Sequence, residues 1–112
     1  VRDGLTEAQL EVLFNQKVRL AGGISYKLAP TTAGIPDRLA IFPGGRMYLV
    51  ELKTDIGRLS PIQAFLHERL DLEFGVIVIT LYGRWMIDRF IRNVLDSRDP
   101  RATPVPGADA LD

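Results

Sequence analysis

Apolar and polar positions change their period several times along the chain, and each change marks an element. After Thr6, residues Leu10, Leu13, Phe14, Val18 and Ala21 recur at the spacing of one helix face. Gln9, three residues beyond Thr6, completes a capping-box pattern, and Gly22-Gly23 supply a stop, so the pattern predicts a helix over 7–20. From Ile24 the period falls to two: ISYKLA alternates until Pro30 and predicts a strand over 24–29. Two more alternating arms flank a turn centred on Gly44. With three residues in that turn, Leu39 and Ile41 meet Met47 and Leu49 as the inner side of a hairpin, and position 37 falls opposite position 51.

Helical spacing returns after Ser60, the N-cap, with Pro61 at the first helical position. This second helix is expected to reach about Leu72, with Ile62, Phe65, Leu66, Arg69 and Leu70 turned inward and Gln63, His67 and Leu70 along the edge. Gly75 opens VIVITLY, a β-branched run that predicts a strand buried on both faces. Reached through a helix, it is expected to lie parallel to an earlier strand by a right-handed crossover. Tyr82-Gly83-Arg84 reads as a turn into WMID, a short last strand, and Phe90, Ile91, Val94 and Leu95 predict a final helix. The expected fold is α/β, a mixed β-sheet flanked by helices. One domain fills 1–96, and 97–112 form a proline-rich C-terminal tail, mobile unless it docks on a partner subunit.

Composition narrows the chemistry. The 112 residues suit one domain, and 46% apolar content is ordinary for a globular fold. There is no cysteine and a single histidine, His67, which excludes disulfides, thiolate metal sites and multi-histidine zinc centres. The longest apolar run, Val76 to Tyr82, is too short to span a bilayer, and the opening residues lack a signal-peptide pattern, so no membrane partner and a cytoplasmic location are expected. Fourteen basic residues balance fourteen acidic ones. A nucleic-acid surface would therefore need segregated charge, for which Lys17, Arg19, Lys27, Arg38, Arg46, Arg58 and Arg84 are candidates. Binding by an isolated subunit would be weak and strongly salt-sensitive.

The hairpin gathers charge at its open end. Glu51 and Lys53, two apart on one strand, share a face, and an opposed Asp37 joins them with side chains about 5 Å away. Two carboxylates this close repel unless a cation joins them, and an oxygen-only set favours Mg2+ or Mn2+. From these three residues alone, a hard-metal site and a cross-strand ion pair are equally good readings. Glu7 and Glu11 lie on the Val18 flank of the first helix, where an acid reaches the rim of such a site or simply complements the helix dipole. Gln63, in the first turn of the second helix, is placed to hold a water or a phosphate oxygen.

The wider pattern resembles a known family. Glu7, Gly22-Gly23, Lys27, Gly34, Pro36-Asp37, Glu51, Lys53, Gly57, Ser60-Pro61, Gln63 and His67 follow one another in the order and with the spacing of the VRR-NUC branch of the PD-(D/E)XK nucleases, a resemblance running from Thr6 to about Ile87. It implies a restriction-endonuclease-like core. It also implies Mg2+ or Mn2+ held by Asp37, Glu51 and the Leu52 carbonyl, with Glu7 completing the set and Glu11 its rival. Lys53 would position the attacking water or offset phosphorane charge, Gln63 would orient water or phosphate, and Lys27 would lie near the scissile region. The expected activity is endonucleolytic cleavage of branched or junction DNA by a homodimer, since the stand-alone members look similar to Holliday-junction resolvases. The alternatives are a catalytically inactive DNA-binding or assembly module with the same fold, and a plain structural domain.

Overall fold

The computed structural model describes residues 2–102. Its elements run α1 (Glu7–Leu20), β1 (Ile24–Lys27), β2 (Arg38–Phe42), β3 (Arg46–Lys53), α2 (Pro61–Phe74), β4 (Val78–Tyr82) and α3 (Gly83–Leu95). One sheet holds the strands in the order β1-β2-β3-β4. The first three pair antiparallel and β4 joins β3 in parallel, which makes the sheet mixed as expected. The β2–β3 register sets Phe42 opposite Arg46 and Arg38 opposite Val50, so the turn is Pro43-Gly44-Gly45 and the next pair outward is 37 with 51.

Both capping boxes close. Thr6 and Gln9 exchange hydrogen bonds at the start of α1 (2.9 and 3.2 Å), and Ser60 and Gln63 do so at the start of α2 with the same lengths. Gly75 ends α2 in the left-handed conformation.

The core lies on one face of the sheet. Leu10, Phe14 and Val18 of α1 and Ile87, Phe90 and Val94 of α3 meet Ala40, Phe42, Tyr48, Val50, Ile79 and Leu81. Ring centroids of Phe14, Phe42, Tyr48 and Phe90 stand 5.5–6.0 Å apart in tilted and edge-to-face contacts. This corrects the expected inner side of the hairpin. Leu39, Ile41, Met47 and Leu49 do share a face, but it is the opposite one, where α2 packs, chiefly along β4. Helix α2 is also rotated from expectation: its buried residue is His67, flanked by half-buried Gln63, Leu66 and Leu70, while Ile62 and Phe65 point to solvent.

The segment WMID is helical rather than a last strand. Gly83 begins α3 at φ +77°, where a Cβ would come within 2.9 Å of Asp55 and 3.1 Å of the Asp3 carboxylate. No side chain of the N-cap closes this helix. Asp3 does so from the far end of the chain: its Oδ2 accepts the Arg84 N–H at 2.6 Å, while its own N–H donates to Asp55 at 2.7 Å. The backbone N–H donors of Arg84 and Leu5 hold the Asp3 carboxyl below its ordinary range.

The start of the proline-rich segment is tied back onto the same chain. Asn93 Nδ2 donates to the carbonyls of Pro100 and Ala102, and Arg101 pairs with Asp71 at 2.7 Å. The rest of that expected tail, 103–112, lies outside the described residues. Among the described residues no helix is long and apolar enough to cross a membrane.

Several of the cations expected to line a groove are engaged internally. Arg38, 3% exposed, donates to Ser25, Glu11 and Asn15 and so pins α1 to β1 and β2. Arg46 donates to the Val94 and Pro43 carbonyls, and Lys17 pairs with Asp88 at 2.8 Å. Arg19 and Arg58 remain exposed.

Candidate active site

The hairpin brings Asp37, Glu51 and Lys53 to one end of the sheet. Asp37 sits one residue before β2, its carbonyl accepting the Leu28 N–H at 2.6 Å, which fixes its backbone against the end of β1. Glu51 and Lys53 are alternate residues of β3. The Lys53 Nζ stands 4.0 Å from Glu51 Oε2, with both side chains largely buried.

The carboxylates are poorly satisfied. Asp37 Oδ1 and Glu51 Oε1 are buried and have no hydrogen-bond partner. Burial and then the Asp37 charge push the Glu51 carboxyl up to about 7; Lys53 pulls it back, and Glu7 adds to the push. Burial, followed by Glu11, raises Asp37 as well, against the opposing charges of Arg38 and Lys27. Two acids resisting ionisation side by side form a pocket of stored repulsion that a cation would relieve.

A cleft of about 270 Å3 opens beside them, lined by Glu7, Ala8, Glu11, Lys27, Asp37 and Leu52. Helix α1 thus presents two acids to the cleft, and they differ in commitment. Glu11 is shared between Lys27 at 3.3 Å and Arg38 at 3.4 Å. The Glu7 charge acts on Glu51, which makes it the better candidate for a third oxygen donor. Among the described residues no three His, Cys, Asp or Glu side chains come close enough to hold a metal ion by themselves. The structure therefore sets Asp37 within electrostatic reach of Glu51 and puts Glu7 in the cleft wall, while Glu51 and Lys53 stand outside the cleft lining.

Gln63 lies outside the cleft lining, its side-chain oxygen engaged with the Ser60 N–H. His67, expected along the edge of α2, is packed, 7% exposed, and its ring nitrogens make no well-formed hydrogen bond. Burial lowers its pKa and the Lys53 charge lowers it further, with the Gly34 backbone opposing, so the ring is neutral near pH 7.

Gly34 fixes the approach of the Asp37 loop to α2. It adopts φ +92°, and a Cβ there would stand 2.9 Å from the Ile62 carbonyl oxygen. Gly34→Ala is expected to cost roughly 1–3 kcal/mol of stability, from the left-handed backbone and the contact together. A urea midpoint equal to that of the wild type would show that this approach carries no constraint.

No family model matches the chain. Over 67 residues it is 37% identical to "Putative nuclease p44" of Acyrthosiphon pisum secondary endosymbiont phage 1, a match spanning 59% of this chain and 72% of that protein. A solved structure described as a VRR_NUC domain superposes with a TM-score of 0.71 and 27% identity, covering 79% of this chain and 97% of that one.

The chain belongs to the VRR-NUC family. Its mixed sheet with flanking helices is the restriction-endonuclease-like core of the PD-(D/E)XK nucleases. In this VRR-NUC chain the acidic pair and the lysine stand on β3 and at the entrance to β2. The burial of His67 is a feature that apolar periodicity alone passes over, because the stripe of α2 that turns inward carries Gln63 and His67.

Proposed function

We propose that this VRR-NUC chain is a Mg2+- or Mn2+-dependent endonuclease hydrolysing phosphodiester bonds of branched DNA, and that it works as a homodimer. One observation carries the reading: Asp37 and Glu51 each keep a buried carboxylate oxygen without a partner, next to Lys53. An oxygen donor set with raised proton affinity suits a hard divalent ion. Asp37, Glu51 and the Leu52 carbonyl would hold it, with Glu7 acting from the cleft wall directly or through water. When bound, such an ion supplies Lewis-acid polarisation of a phosphate and lowers the pKa of the attacking water.

The remaining steps belong to the chain. Lys53, largely buried, keeps a positive charge beside the reacting phosphate, where it orients the nucleophile or offsets charge on the phosphorane. The Gln63 amide NH2 remains to donate to a water or a phosphate oxygen once its carbonyl has capped Ser60. Lys27, exposed at the cleft mouth, contributes backbone attraction, as do Arg19 and Arg58 elsewhere on the surface. In-line attack would leave a 5′-phosphate. One acidic cleft of this kind serves one strand, so two copies are needed to cut both strands of a branch.

An inactive DNA-binding or assembly module is the other reading, and its mark would be a broken Asp-Glu-Lys set. Here the three residues are present and adjacent, which favours turnover. Purified protein with Mg2+ or Mn2+ is expected to nick four-way or flap DNA, and Asp37→Ala to abolish nicking while far-UV circular dichroism is unchanged. Equal cleavage by wild type and variant would assign the activity to a contaminant.

A further inference from the structure

The face of the sheet away from the core is only half covered. Helix α2 packs chiefly along β4, with the Gly34 loop against its Ile62 turn, and leaves Ile24 and Tyr26 of β1 and Met47 of β3 exposed while Leu39, Ile41 and Leu49 between them are half-buried. The strand register lays apolar side chains across these strands in two rows, Ile24–Ile41–Met47 and Tyr26–Leu39–Leu49. Ile24, Tyr26 and Met47 are each about half exposed (49–53%). Beside this floor α2 raises a crest of its own. Ile62, Phe65 and Leu72 fall within about 80° of one another on the helix, and they are 52–76% exposed. The charged neighbours on that crest, Arg69 and Glu73, neutralise each other at 2.8 Å.

A helix is about 10 Å thick, so beyond the Gly34 loop the partly exposed strands form a trough next to a ridge one helix high. That profile is complementary to itself. A twofold axis parallel to the strands would lay each copy's α2 into the other's trough, apolar crest on apolar rows, as an isologous interface requires. Counting the floor and crest side chains at their exposures gives about 600 Å2 of apolar surface per copy, against ~800 Å2 in total per partner in a standard interface. It also reaches the upper end of what monomers leave exposed, ~300–600 Å2. The floor rows carry no charge by which an oppositely charged partner would be selected.

We infer that a second copy of this chain occupies the trough, its Ile62–Phe65–Leu72 crest seated on the Ile24, Tyr26 and Met47 strands, to give a sheet, paired helices, sheet sandwich. This inference deepens the homodimer reading and is measured without any cleavage assay, so a dimer lacking nuclease activity would defeat that reading and leave this one standing.

Sedimentation velocity across a concentration series should show a dimer for the wild type. Tyr26→Glu and Phe65→Glu, both at exposed positions, should each weaken it about 100-fold while leaving the circular dichroism unchanged. Because the chain has no cysteine, introduced thiols report position without background. A mixture of Tyr26→Cys and Phe65→Cys chains should form the mixed disulfide under mild oxidation more readily than either variant pairs with itself. A monomer at every concentration would overturn the inference and point to some other cover for this face. A dimer indifferent to both glutamate variants, or one that prefers like-with-like disulfides, would overturn it equally.

Discussion

Glu51→Gln is expected to make the metal-free protein more stable while removing its cleavage activity. In the unfolded chain this carboxyl titrates near its ordinary 4.5, and in the fold near 7. Between those values the native state holds the extra proton, so the stabilisation is complete below the lower value and is lost as the pH rises through the higher one. At pH 8 the ionised side chain costs on the order of 3 kcal/mol. Glutamine removes that cost. Its melting temperature should exceed that of the wild type by roughly 5–15 °C at pH 8 and by little at pH 5. Mg2+ should narrow the gap at pH 8 by stabilising the wild type alone. Equal differences at both pH values, or a destabilised variant at pH 8, would show that the carboxylate is not under strain.

Lys53→Ala is expected to lower kcat by about 100- to 1,000-fold with a much smaller change in KM, the signature of a charge that acts on the transition state. The same substitution removes a cation that draws the Glu51 pKa downward, so the Glu51 carboxyl should titrate still higher in the variant. Lys53→Arg, which keeps the charge but alters its shape, should recover only part of the rate. Cleavage within about tenfold of wild type for Lys53→Ala would dismiss this residue from the chemistry.

Local pairings were legible in the sequence. The turn around Gly44 and the alternation of its arms fixed the register that opposes 37 and 51, and both capping boxes announced their helices, because each depends on residues at most a few positions apart. What failed depended on distant partners. Both hairpin faces are apolar, and only the packing of Phe14 and Phe90 against Phe42 and Tyr48 makes one of them the core. Trp85, Met86 and Ile87 suit a strand, yet they are helical because Gly83 turns the chain and Asp3 caps it from 81 residues away. Helix α2 was misoriented for a related reason. Its most apolar stripe faces outward, and the inward stripe carries Gln63 and His67. Of the candidate site, the acids and the lysine were readable as a triplet, whereas the engagement of Glu11 by Arg38 and Lys27 required the packing of α1 against β1 and β2.

The single parallel pairing in the sheet has a kinetic corollary. Helix α1 and the β2–β3 hairpin close over short stretches of chain, but β4 reaches β3 only after α2 has crossed the sheet, and loop-closure entropy makes that step slow. The two acids are neighbours within the hairpin, so their repulsion is already present while the crossover is still open. A divalent ion joining them at that stage would hasten the assembly of the sheet as well as favour its finished form.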